Sequence, residues 1–481
     1  MRRSILGLMD RLMSFHRGSL WVGVVLVVIA PLSVALLLSM WRSPFPINEM
    51  ISLLEDAESS TPGRFFDPTI RSWYRPLFHL TLWGFWNGSG SLLGGLHWFR
   101  YLEVGSVLVL LLLFVSYLRP RTGLQAAAAL LAVAVMMGMP GFRDNLEIPV
   151  LMTLVGMPMA LLVWMLLERE HRWWYTPLIL ALTMTAIGYK EQGLVIAPVV
   201  VGAWWMGSPG ARRTTTAVVV LAVLAYLAMR FSTRGHWALF EQDVGFLFGE
   251  LGEDEAAARF GERPWILYGY SALATIGNIL FSEPSRGTFV ITDHALSGET
   301  RPWEWISIVS STLMTALIAW WGVAILRRDW SADAWSAESR LFVILVLALG
   351  ASGALGFNYA RDRLGGMAVP FYAAASYFAV LSVAERAGAA SLKRRATVAL
   401  VLVMLAGAWQ LRAVGTLHDV RLRAASTHRT WITSPNWSRV TFAHRPRYLS
   451  IMQTMTPQGT DPARARRPTY PEWFLALIGG G

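Results

Sequence analysis

Residues 104–118 read VGSVLVLLLLFVSYL and residues 214–229 read TTTAVVVLAVLAYLAM, two runs without a charged side chain. Such stretches suit a bilayer, because about 20 apolar residues cross a hydrocarbon core roughly 30 Å thick. The wider composition agrees. Of 481 residues, 54% are hydrophobic and 15% charged, well short of the roughly 25% charge of a soluble domain. Mean hydropathy is +0.43. The chain has no cysteine, which excludes a disulfide scaffold, a thiolate zinc site and a cysteine nucleophile. The sequence therefore reads as an all-α polytopic integral membrane protein.

Working outward from the two runs, further apolar segments lie at 19–40, 124–139, 149–167, 174–189, 193–207, 303–326, 339–356, 365–385 and 396–414. Together they predict about eleven spans. Arg2, Arg3, Arg11 and Arg17 precede the first, which is too long for a signal peptide and lacks a small-residue cleavage site. It is expected to remain as an uncleaved span with a cytoplasmic N-terminal tail, 1–18. Segment 265–281 is ambiguous, and charge decides it. Placed in the interface, it leaves Arg119, Arg121, Arg212, Arg213, Arg327, Arg328 and the run Lys393-Arg394-Arg395 all on the cytoplasmic side, as the positive-inside rule requires. The expected layout is a transmembrane domain over 19–414 in the plasma (inner) membrane, with long extracytoplasmic loops at 41–98 and 232–302 and an extracytoplasmic tail at 415–481. Cytoplasmic turns thus account for part of the net charge of +11, and nucleic acid is not the expected partner. Several of the 23 tryptophans, among them Trp173, Trp174, Trp204, Trp205, Trp320 and Trp321, fall at run ends, where amphipathic rings meet the headgroups.

The charges near span ends gather on the expected outer side: Glu103, Arg143, Asp144, Glu147, Lys190, Glu191, Arg230, Arg361, Asp362 and Arg363. Almost none falls mid-span, where transporters and proton pumps place theirs. In the first outer loop, Ile47, Met50, Ile51 and Leu54 recur at helical spacing and predict a helix lying along the interface. Its polar face carries Glu49, Ser52 and Asp56. A carboxylate held at a membrane surface can serve as general base toward a hydroxyl; a merely solvated helix face accounts for the same acids. A second short surface helix is expected after Pro76. Lys190 and Glu191 fall between two short spans, so their turn is expected slightly below the surface, where a lysine can hold an anion such as a phosphate and the glutamate orients it or limits its charge; an exposed turn with a trivial ion pair is the plainer reading. Arg361 and Arg363 offer bidentate forks for the same purpose, with ordinary snorkelling as the plainer reading. Arg75 is a third cation of this kind.

The order of these elements resembles the GT-C glycosyltransferases. It is most similar to the transmembrane O-mannosyltransferases that carry tetratricopeptide repeats, and to their bacterial relatives. The likeness rests on an acidic motif after the first span, Tyr74-Arg75-Pro76-Leu77, Gly95-Leu96-His97, Met139-Pro140 with Asp144 four residues on, and Lys190-Glu191-Gln192-Gly193. It covers roughly the first 210 residues well and the region to about 380 loosely. It implies a polyprenyl-phosphate-linked sugar donor, an extracytoplasmic site, and a protein, lipid or glycan acceptor. It also implies a first-loop carboxylate as catalytic base and inversion at the anomeric carbon. Here Asn48-Glu49 stands where the family has two acids, so Glu49 takes the role, with Asp56 in reserve. Asp144 matches the second outer loop, and Tyr74 and Glu191 are supporting residues. The repeats are absent from the short tail.

The expected mechanism is a single displacement in which Glu49 deprotonates the acceptor while Lys190, Arg361, Arg363 and Arg75 stabilise the departing phosphate. No zinc-protease or phosphate-loop signature occurs. No metal site or cofactor is assigned; the acids Glu250, Glu253, Asp254 and Glu255 read as a solvated helix face. The alternatives left open are a lipid-linked polysaccharide ligase or polymerase, a non-enzymatic flippase or transporter, and a relative that binds lipid without catalysis.

Overall fold

The structure, a computed structural model, describes residues 18–31, 34–35, 38, 61–67, 75–88, 92–147, 153–232, 264–282, 298–330, 335–357, 362–388 and 391–433. Every regular element among them is helical. In chain order they are α1 (Gly18–Pro31), a 3-10 turn (Pro62–Phe66), α2 (Pro76–Gly88), α3 (Leu92–Leu118), α4 (Gly123–Gly138), α5 (Pro140–Glu147), α6 (Thr153–Leu167), α7 (Tyr175–Tyr189) and a 3-10 turn (Glu191–Val195). There follow α8 (Ile196–Trp205), α9 (Arg213–Ser232), α10 (Pro264–Phe281), α11 (Pro302–Asp329), α12 (Ala337–Leu355), a 3-10 turn (Asp362–Ala368), α13 (Val369–Gly388) and α14 (Leu392–Thr433).

Six of the described helices are long and apolar enough to cross a membrane, and the bent pair α4–α5 would make a seventh. The chain is thus an all-α membrane protein. Helices α1, α6 and α7 and the second half of α10 are apolar but shorter.

Helix α6 is buried almost all round, as a helix without a polar face must be. The alanine-rich α4 is buried along most of its length and packs against α13 and α14; small side chains let backbones approach where lipid supplies no hydrophobic drive. Caps mark the entries. Thr122 accepts the Gln125 N–H at the start of α4, and Ser336 accepts that of Ser339 at the start of α12. Asp329 closes the preceding turn by accepting the Ser336 N–H at 2.9 Å and the Ser339 hydroxyl at 2.7 Å.

Long-range hydrogen bonds divide the turns between two ends. At one end Gly210 N–H donates to Leu167 O at 2.8 Å, Ser208 donates to Glu168 at 2.9 Å, and Arg340 holds Glu168 through two bonds of 2.8 and 2.7 Å. Trp164 donates to the Tyr117 hydroxyl at 3.1 Å beside the α3–α4 turn. This end also carries Arg119, Arg121, Arg212, Arg213, Arg327, Arg328 and the 393–395 run; we call it the basic end. At the far end lie α2, α5, α10 and the turns 191–195 and 362–368. The α10 helix packs there, with Ile276 against Gly353, Thr275 against Gly356 and Ile279 against Gly365.

The spans expected at 365–385 and 396–414 correspond to the apolar windows Arg363–Gly388 and Leu392–Thr416, and the helices differ from them in detail. The segment expected to span from 365 begins as the 3-10 turn Asp362–Ala368 and becomes α-helical only at Val369. The span expected over 396–414 is the apolar part of α14, whose membrane-compatible window runs Leu392–Thr416; the helix itself carries on as far as Thr433.

Candidate functional site

The far end is assembled around the break after α7. Lys190 leaves the helix with extended dihedrals (φ −158°, ψ 140°), while its N–H still donates to Ala186 O at 2.9 Å. Glu191 then opens a 3-10 turn that doubles back onto α7. A Cβ at Gly193 would come within 2.5 Å of the Ala186–Ile187 backbone, so only glycine permits this reversal. One turn earlier, a Cβ at Gly188 would meet Leu77 at 2.7 Å. Leu77 belongs to α2, which Pro76 opens at a position where its missing N–H costs nothing. The glycine therefore lets α2 dock on the end of α7, and the residue just before α2 is Arg75.

Docking brings Arg75 against Glu191. The guanidinium donates from Nε to Oε2 at 2.9 Å and from NH2 to Oε1 at 2.8 Å, with side chains only 17% and 13% exposed. Burial alone would push the Glu191 carboxyl up. The charges of Arg75, Lys190 and Arg230 outweigh that and hold it well below the usual carboxylate range. Arg230, from the last turn of α9, also hydrogen-bonds the Tyr226 phenol. Lys190 is 2% exposed. Beside the cluster, Tyr189 and Thr81 join their hydroxyls at 2.9 Å.

A second group lies on the adjoining elements. Met139 is extended ahead of Pro140, as the residue before proline prefers, and the chain bends by 60° into α5. Two successive α5 residues then hold the 362–368 turn: Asp144 accepts the Arg363 N–H at 3.2 Å, and Asn145 donates to the Arg363 carbonyl at 3.3 Å. That turn touches the 191–195 turn, where Gln192 accepts a hydrogen bond from Thr153 at the start of α6.

Of the residues singled out in the sequence, Arg75, Lys190, Glu191, Asp144 and Arg363 thus fall on neighbouring elements of one end. Two have partners the sequence did not give them. Glu191 holds Arg75 rather than serving Lys190 alone, and the charges of Lys190 and Arg230 act on the same carboxylate. Asp144, expected as a catalytic acid, is buried and grips backbone. Glu49, Asp56, Tyr74 and Arg361 lie outside the described residues, as do the interfacial helix expected in the first outer loop, the 250–255 acids and the chain beyond 433. Among the described residues no group of three or more His, Asp or Glu has metal-binding geometry.

Sequence reasoning missed Arg412. It sits half-buried in α14 with its Cζ 3.7 Å from the Trp409 ring centroid. It donates to Ser307 O, Ser310 and Ser311 of α11, to Gly138 O of α4 and to the Ser282 hydroxyl after α10, at 2.5–3.2 Å. Among the described residues no carboxylate is its partner. The available signal was an arginine inside an apolar run, three residues from a tryptophan. A run-averaged hydropathy hides it.

Chemically, the Arg75–Glu191 cluster sets three cations about one ionised carboxylate, out of bulk water. Converging guanidinium and ammonium groups of this kind are suited to an anionic group. Compared with known proteins, the chain matches no family model, no curated protein and no solved structure.

Proposed function

We propose that the chain is a membrane glycosyltransferase of GT-C type with about eleven crossings, its basic end in the cytoplasm. It moves a sugar from a polyprenyl-phosphate-linked donor to an acceptor hydroxyl at the far, extracytoplasmic end. The observation that carries the reading is the convergence of Arg75, Lys190 and Arg230 on the carboxylate of Glu191 at the 190–195 turn. A lipid phosphate reaches such a turn from within the bilayer. Helix α7 has fifteen residues, about 22 Å at roughly 1.5 Å per residue, against a core of about 30 Å. A turn after so short a helix sits at phosphate depth rather than above it.

In this scheme Glu191 fixes the Arg75 fork, while Lys190 and Arg230 compensate the charge that grows on the leaving phosphate. Arg363, whose backbone Asp144 and Asn145 hold, supplies a further cation from the adjoining turn. Glu49 is the proposed base: it takes the proton of the acceptor hydroxyl as the oxygen attacks the anomeric carbon, and the phosphate–sugar bond breaks on the opposite face, inverting the centre.

The test incubates purified protein with a panel of polyprenyl-phosphate sugars and follows which donor is consumed. Consumption of one donor, lost in Glu49→Gln while donor binding persists, is the expected result. No consumption across the panel, or unchanged transfer by Glu49→Gln, would overturn the reading or remove Glu49 from it.

A further inference from the structure

At the basic end, away from the cluster just described, the α3–α4 turn, the end of α11, the start of α12 and the end of α13 enclose an open cleft of about 640 Å³. Arg119, Arg121, Arg328 and Arg386 line it, over an apolar floor in which Trp321 stacks on Phe378 with centroids 6.1 Å apart and planes 10° apart. Two carboxylates share the lining and do not neutralise it. Glu338 stands 3.7 Å from Arg328, which Asp329 also holds at 2.7 Å. Glu385 pairs with none of the arginines, and Arg119, Arg121 and Arg386 form no ion pair among the described residues.

Three details show what such a cleft would take. Arg119 ends α3 with φ +45°, a left-handed conformation that glycine would adopt more easily; the side chain rather than the backbone accounts for the residue. Arg386 lies with its Cζ 4.4 Å from the centroid of the Trp320 ring, itself 42% exposed on the bundle surface. A guanidinium over a lipid-facing tryptophan marks headgroup depth. And the lining is two-sided, forks at the rim and aromatic rings below, which matches a phosphate attached to an apolar body. Basic pockets between membrane helices on the cytoplasmic side hold anionic headgroups for this reason.

We propose that this cleft binds the phosphate of an anionic phospholipid from the leaflet at the basic end, with Arg119, Arg121 and Arg386 as ligands and Trp321 and Phe378 beneath the glycerol. The site is independent of the glycosyltransferase reading, since none of its residues belongs to the far end.

The test uses full-length protein in a neutral detergent, loaded with phosphatidylglycerol or cardiolipin, with phosphatidylcholine as reference, and washed before native mass spectrometry counts retained lipid. The double variant Arg121→Gln/Arg386→Gln should retain the anionic lipids about tenfold less well. The double variant Lys393→Gln/Arg394→Gln removes equal charge from the same end outside the cleft and should retain them as the unmodified protein does. Ser382→Trp fills the cleft and keeps every charge; it should lose the lipid as well, and serves where the arginine variant fails to fold. Equal loss in both charge variants, or full retention in Ser382→Trp, overturns the site. Displacement of the lipid by inorganic phosphate assigns the cleft to a soluble anion and overturns the lipid assignment.

Discussion

Glu191 is the residue on which the far end turns, because it is an acid surrounded by bases. Its carboxylate is ionised in the folded chain below its ordinary 4.5. A carboxyl with a depressed folded value contributes stability in full above the unfolded value and loses it as pH falls through the window beneath. Glu191→Gln should therefore be less stable than the unmodified protein near pH 7, and the gap should narrow by about pH 3.5. Thermal unfolding in detergent at the two pH values reads this directly; a gap of equal size at both would show that the ionised form contributes nothing. Arg75→Ala is the harsher change. It leaves a buried carboxylate without its bidentate partner, a loss of about 3–5 kcal/mol, and Arg75→Lys should recover little of it, since an ammonium cannot reproduce the fork.

At the scale of elements, α14 joins parts of the chain that local sequence does not connect. Arg412 donates at once to the end of α4, the residue after α10 and the first third of α11, and Thr416 adds a bond to Met137 O at 2.8 Å. Neutral oxygens satisfy the guanidinium in place of a counter-ion, so the contact depends on having five donors in one plane. Arg412→Lys should lower the unfolding midpoint almost as far as Arg412→Met, each leaving buried acceptors at roughly 1–3 kcal/mol apiece; rescue by lysine would show that charge alone sufficed. The same helix shows where sequence reading stops. The apolar runs of α3, α4, α9, α11 and α12 were legible because each is long and ends in a cap or a basic turn. The continuation of α14 beyond its apolar window to Thr433 was not, because the polar residues there carry no hydropathy signal. Local sequence also located Lys190-Glu191 and Arg75, but not their pairing, which depends on Leu77 meeting Gly188 across more than a hundred residues.

Taken end to end, the bundle has two chemically different faces toward water. Arginine and lysine run through every turn of the basic end, whereas acids and bases alternate at the far end around Glu191 and Asp144. The expected alternation of spans between these ends rests on charge, since short turns carry the sorting signal. Its absolute direction is a separate proposition, and the absence of native cysteine makes it easy to test. Single cysteines at Glu299, ahead of α11, and at Ser391, ahead of α14, sit in described segments at opposite ends. In intact cells a membrane-impermeant maleimide should label Glu299→Cys, while Ser391→Cys should react only after permeabilisation. The reverse pattern would put the Arg75–Glu191 cluster in the cytoplasm. An extracytoplasmic transfer from a lipid-linked donor would then have no site in this fold, whatever its residues could do in isolation.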